Sequence, residues 1–172
     1  MKRFLLNNGS EYSYEQLLAS LNESDKYYLL YKQLDLYLFF VNLIKALANN
    51  APLVLLDADL NETEIDGVNV AEINVPTKIV STTFVNMEAV VEAVKNSTSE
   101  ITIFTSGTTG QPKKVVHCVQ TLMRAVRFGE KYINQVWAYA YNPTHMAGLQ
   151  VFFQAFMNLN FLVNVFNKRR TE

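Results

Sequence analysis

One cysteine, Cys118, is all the sequence offers for disulfide chemistry. That excludes an internal disulfide framework and fits a reducing, cytoplasmic location. Long apolar runs are also missing. The greasiest window, residues 36–48, is broken by Asn42 and Lys45, whereas a membrane span needs about 18 or more apolar residues with few charges. A buried helix in a soluble protein is the expectation there. The first residues, "MKRFLLNNGSEYSYEQ", hold only a three-residue apolar run, too short for the core of a signal peptide. Charge is sparse as well: 18% of residues are charged against 49% hydrophobic, which excludes a disordered polyelectrolyte and leaves ample material for a core. Glycine is scarce, at six residues, yet two of the six stand three apart at Gly107 and Gly110.

The 172 residues fit one ordinary domain. Net charge is −1, but residues 1–112 carry 7 Lys/Arg against 14 Asp/Glu, and residues 113–172 carry 8 against 2. Such asymmetry fits either an anion-binding side or an uneven scatter of surface charge. The basic residues are dispersed and not interleaved with aromatics, so no nucleic-acid surface is expected.

Helix and strand patterns alternate along the chain. Ser13 with Gln16 forms a capping-box pattern, so a helix starts near Ser13. A second helical stretch is expected from about Asp25 to Ala48, with a break near Asp35, ending before Pro52. "LVLLDAD" (53–59) reads as a buried strand and "KIVSTT" (78–83) as another. Met87, Val90, Val91 and Val94 share a helical face. "EITIF" (100–104) and "KVVHC" (114–118) read as strands, with a helix expected from Gln120 to about Tyr132. "VWAYAY" (136–141) and "FLVNVF" (161–166) read as strands around a helix at "LQVFFQAFMNL". This alternation predicts an α/β sheet protein.

Between two of these strands lies Thr105-Ser106-Gly107-Thr108-Thr109-Gly110-Gln111-Pro112-Lys113. Glycines permit positive φ and close backbone approach. Hydroxyls and backbone N–H groups supply uncharged donors, and Lys113 supplies positive charge. The composition suits a polyphosphate cradle, and equally an ordinary polar hairpin turn. A Walker loop is excluded, because its G-x-x-x-x-G-K-[ST] spacing is absent and a strand pattern, not a helix, follows.

"TSGTTGQPK" resembles the signature phosphate loop of the adenylate-forming superfamily, which includes acyl- and aryl-CoA synthetases, luciferases and peptide synthetase adenylation domains. "NPTHMAGLQVFFQAFMNLNFLVNVF" (142–166) is similar to that family's next segment, with a histidine and a glycine ahead of an apolar helix. The resemblance implies an α/β fold, the N-terminal part of the family's large domain, with short strands alternating with helices. It implies an ATP-dependent carboxylic acid–CoA ligase: the acid attacks the α-phosphate of ATP, pyrophosphate leaves, and coenzyme A takes the acyl group. Thr105, Ser106, Gly107, Thr108, Thr109, Gly110 and Lys113 would hold the β- and γ-phosphates, and His145 would wall the acyl and nucleotide pocket. His117, Cys118 and Trp137 are read as structural.

Two departures stand out. Lys114 occupies a position that is usually glycine in the family. The family's later motifs, for adenine, magnesium, ribose and the catalytic lysine of a small C-terminal domain, find no match in residues 150–172. Residues 1–172 are therefore expected to be an incomplete N-terminal part of the domain. They would be inactive alone, with magnesium ligands supplied by the remainder in the same or a partner chain. A catalytically inactive remnant or interaction module is the alternative, and the exposed apolar face of an incomplete fold would favour self-association or poor solubility.

Overall fold

In the computed structural model, the residues described are 1–59, 61, 65, 67–105 and 112–166. Two four-stranded sheets organise them. The first contains β1 (Arg3–Asn7), β2 (Ser10–Ser13), β9 (Val136–Tyr139) and β10 (Phe161–Asn164) in the order β2-β1-β10-β9. The second contains β4 (Leu30–Tyr31), β5 (Leu53–Leu55), β7 (Glu100–Thr105) and β8 (Lys113–Cys118) in the order β4-β5-β7-β8. Each is parallel except for one antiparallel hairpin at an edge, β1–β2 in the first and β7–β8 in the second. A short antiparallel pair, β3 (Lys26–Tyr28) with β6 (Pro76–Lys78), stands apart.

Five α-helices accompany the sheets among the described residues: α1 (Tyr14–Asn22), α2 (Leu36–Ala48), α3 (Met87–Lys95), α4 (Val119–Met123) and α5 (Met146–Phe156). The capping box of α1 forms as the sequence predicts, with Ser13 Oγ accepting from Gln16 N–H and Gln16 Oε1 accepting from Ser13 N–H. Helix α2 is buried on nearly every face, as a helix hydrophobic all round must be. It packs against β1, α1 and α3, while α5 lies against β9 and β10. Phe40 of α2 and Phe152 of α5 stack with ring centroids 4.5 Å apart, and neither is exposed. Phe4, Phe39 and Tyr139 surround Phe40 at 5.4–6.0 Å. Among the described residues, no helix is long and apolar enough to cross a membrane.

Three sequence expectations need correction. Residues 26–31 form β3 and β4, not the first half of a helix. The Asn42 side chain bonds both the N–H (2.8 Å) and the C=O (3.0 Å) of Tyr28, taking the groups that a helix would use internally. Asp35 then caps α2 through Leu38 N–H at 2.9 Å. The strand expected over 78–83 is confined to Pro76–Lys78; beyond it, Asn49 accepts from Thr82 N–H, and Asn22 bonds both backbone groups of Phe84. Helix α4 stops at Met123 because the buried Gln154 side chain holds the N–H and C=O of Arg127, and Gly129 adopts φ +120°. The β1–β2 hairpin, absent from the sequence reading, turns on Asn8 (φ 50°) and Gly9 (φ 84°), the Asn-Gly pair that favours tight hairpins.

Phe40→Ala should destabilise the fold by about 3–5 kcal/mol, the usual cost of emptying a fully buried phenylalanine site, read as a lowered urea midpoint.

Candidate functional site

The β7–β8 hairpin brings Thr105 opposite Lys113 as Cα partners. Paired residues share a sheet face and alternate along each strand. Ile103, Thr105, Lys113, Val115 and His117 therefore present one face, and Phe104, Lys114 and Val116 the other. A groove of about 460 Å³ is lined mainly from the first face, by Ile103, Thr105, Val115 and His117, together with Phe104, His145, Met146 and Ala147. Of the residues singled out from the sequence, Thr105 and His145 meet in this groove, and Lys113 sits beside Thr105 on the same face. Ser106, Gly107, Thr108, Thr109 and Gly110 lie outside the described residues.

His145 reaches the groove through an interlocked turn. Asn142 Oδ1 accepts from the N–H (2.9 Å) and the hydroxyl (2.8 Å) of Thr144. The backbone C=O of Asn142 accepts from His145 N–H at 3.2 Å, making His145 the residue that precedes the first turn of α5. Gly148 is required by packing. A Cβ there would collide with the Asn142 carbonyl oxygen and lie 2.9 Å from its carbon and 3.0 Å from Tyr139 Oη. The spacing "NPTHMAG" is thus the geometry of a helix start pressed onto its own preceding turn.

Asp57, two residues beyond β5, fastens this turn to the second sheet. Its Oδ2 accepts from Asn142 Nδ2 at 2.7 Å and lies 3.2 Å from His145 Nε2. Its Oδ1 accepts from Asp59 N–H at 3.1 Å. The Asp57 side chain is 19% exposed and that of His145 is 55% exposed, so a sheltered carboxylate holds an accessible imidazole by one edge. The sequence reading missed Asp57 and Asn142. The available signal was an acid just past the carboxyl end of a parallel strand, where ligands of open α/β sheets gather. From the sequence, His117 and Cys118 read as structural. His117 instead lines the groove, and Cys118 is exposed, its Sγ 3.0 Å from Thr121 Oγ1.

No family model matches the sequence, and no curated protein matches it. Solved structures do. E. coli MenE, bound to an analogue of OSB-AMS, superposes with a TM-score of 0.64 at 14% identity, over 99% of this chain and 43% of that one. The o-succinylbenzoate CoA synthetase MenE of Bacillus subtilis gives 0.58 at 16%, over 95% and 41%. The N-terminal domain of FACL13 from Mycobacterium tuberculosis gives 0.62 at 14%, over 98% and 54%. The chain has the fold of the N-terminal part of adenylate-forming enzymes. It spans less than half the length of either MenE chain. Within this adenylate-forming fold, no group of three or more His, Cys, Asp and Glu among the described residues is arranged to hold a metal.

Gly148→Ala should cost about 1–3 kcal/mol, because a backbone carbonyl is what the new methyl meets; a denaturation midpoint reads it. Asp57→Ala should cost about 1–3 kcal/mol by leaving the Asn142 amide without its acceptor, while His145→Ala, at an exposed ring, should change the same midpoint by less than half as much.

Proposed function

We propose that the chain is the N-terminal segment of an ATP-dependent carboxylic acid–CoA ligase. The observation that carries this reading is that Thr105 and His145 line one groove, with Lys113 paired to Thr105 on the hairpin that brackets "SGTTGQ", in a fold shared with such synthetases. One of the similar structures is the Bacillus subtilis enzyme in complex with an acyl-adenylate intermediate.

In this reading the carboxylate oxygen of the acid attacks the α-phosphorus of ATP. The bond to the bridging oxygen breaks, and pyrophosphate carries away the electron pair. Negative charge grows on the leaving group, so fixed donors and a cation beside it lower the barrier more than they tighten ground-state binding. The Lys113 ammonium supplies the cation, and Thr105 with the hydroxyls and N–H groups of residues 106–110 supplies the donors. His145, held by Asp57, forms the wall against which the acyl-adenylate lies. Coenzyme A then displaces AMP from the acyl carbon to give the thioester. Magnesium, when bound, would offset phosphate charge through ligands contributed by other residues.

In this reading further polypeptide supplies the adenine, ribose and second-domain contacts. Two features are in keeping with it. The outer edges of β8 and β9 have no pairing strand among the described residues. Val136 and Val116 stand 61% and 48% exposed on those edges.

The opposite faces of Lys113 and Lys114 make the reading testable on the 172-residue chain. Pyrophosphate binding, followed by calorimetry, should weaken roughly tenfold in Lys113→Ala and change little in Lys114→Ala. In the protein completed by its remaining segments, Lys113→Ala should lower carboxylate-dependent ATP–pyrophosphate exchange by roughly a hundredfold. Exchange that is absent from the completed protein would favour an inactive remnant.

A further inference from the structure

A second groove, of about 360 Å³, shares no lining residue with the one at His145. It runs along α2 and is lined by Leu38, Val41, Asn42 and Lys45, with Ser24, Lys26, Tyr28 and Tyr31 among the facing residues. Among these lining residues, Lys45 is only 5% exposed. Its ammonium donates to the carbonyl oxygen of Ser24 at 3.1 Å and to the Ser24 hydroxyl at 3.4 Å. No carboxylate among the described residues forms an ion pair with it.

A buried ammonium carries three donors and a desolvation cost that an anion would offset. Two of the three donors are used, and both go to neutral groups. Burial pushes the Lys45 pKa down, against the opposing pull of Glu23 and Asp25. The neighbouring polar groups are already engaged. The Asn42 amide is committed to Tyr28, and Ser20 Oγ lies 2.9 Å from Tyr37 Oη. Asp25 is turned to Lys78, 3.9 Å away.

We propose that this groove binds a small organic monoanion, a monocarboxylate with an apolar body, through the Lys45 ammonium. Charge sets the class of ligand. Lys45 and Lys26 face the groove together with Glu23, leaving one net positive charge to be matched. The second charge of a dianion such as sulfate would have only the Glu23 carboxylate left to face. Tyr28, Tyr31, Leu38 and Val41 form walls for the ligand's body, and Leu38 is 49% exposed, ready to be covered. The site stands independently of the adenylate reading, since it uses none of that groove's residues.

Benzoate is a suitable probe, titrated into the ¹⁵N-labelled chain and followed by amide NMR. Saturable shifts should appear at Ser24, Lys26 and Asn42, and the affinity should fall roughly tenfold in Lys45→Met. Val41→Phe, which fills the groove and leaves the ammonium in place, should weaken binding similarly and guards against a Lys45 variant that fails to fold. Three results would overturn the proposal: no saturable shift at those amides, shifts confined to Thr105, His117 and His145, or unchanged affinity in Val41→Phe. Equal saturation by sulfate, a dianion at every working pH, would overturn the monoanion assignment.

Discussion

The stack of Phe40 on Phe152 is the contact on which the rest of the structure depends. It joins α2 to α5, and the rings around it come from β1 and β9 as well as from the two helices. Tyr139 lies edge-on to Phe40, and its hydroxyl sits where Gly148 leaves room. The aromatic core thereby fixes the seat of α5, and α5 fixes the backbone from which His145 projects. Shape complementarity in the interior sets the position of an accessible imidazole, as expected when a functional side chain stands on rigid elements.

Electrostatics then acts on what packing has placed. Asp57 ties the turn before α5 to the carboxyl end of β5, so the histidine edge is referenced to the same sheet that carries Thr105. Two adjacent lysines meet different fates for a reason of strand geometry alone. Lys113 shares the groove's face, whereas Lys114 pairs with Phe104 on the opposite one. An extra positive charge at the loop's exit can therefore be carried without pointing into the groove.

What was legible in the sequence was whatever repeats or caps locally. The helices at Tyr14–Asn22, Met87–Lys95 and Met146–Phe156, and the strands flanking the glycine-hydroxyl loop, all announce themselves by period or by cap. What was not legible depends on distant asparagine and glutamine side chains acting as backbone partners. Asn42 straightens Tyr28, Asn22 engages Phe84, and Gln154 ends α4 by claiming Arg127. Such bonds span up to 62 residues and leave no trace in hydrophobic periodicity. At the site, the loop and His145 were visible as motif. Asp57 was not, because its importance arises from an 85-residue hydrogen bond to Asn142. A lysine within an apolar helix was visible too, but only burial and the groove above it give Lys45 meaning.

The pairing of β1 with β10 has a consequence for how the chain assembles. The first strand finds its parallel neighbour only at Phe161–Asn164, and Tyr14 Oη waits for the carbonyl of Asn160, 146 residues away. Contacts of such long range incur their loop-closure cost before they return any stability. On the ribosome, at about 5–20 residues per second, the N-terminal hairpin emerges many seconds before its partner exists. The second sheet and α1–α3 can form in that interval, while β1 keeps an unsatisfied edge. The nascent chain therefore carries an open, strand-shaped vacancy until residues 161–164 emerge, and the last described strand is the one that closes it.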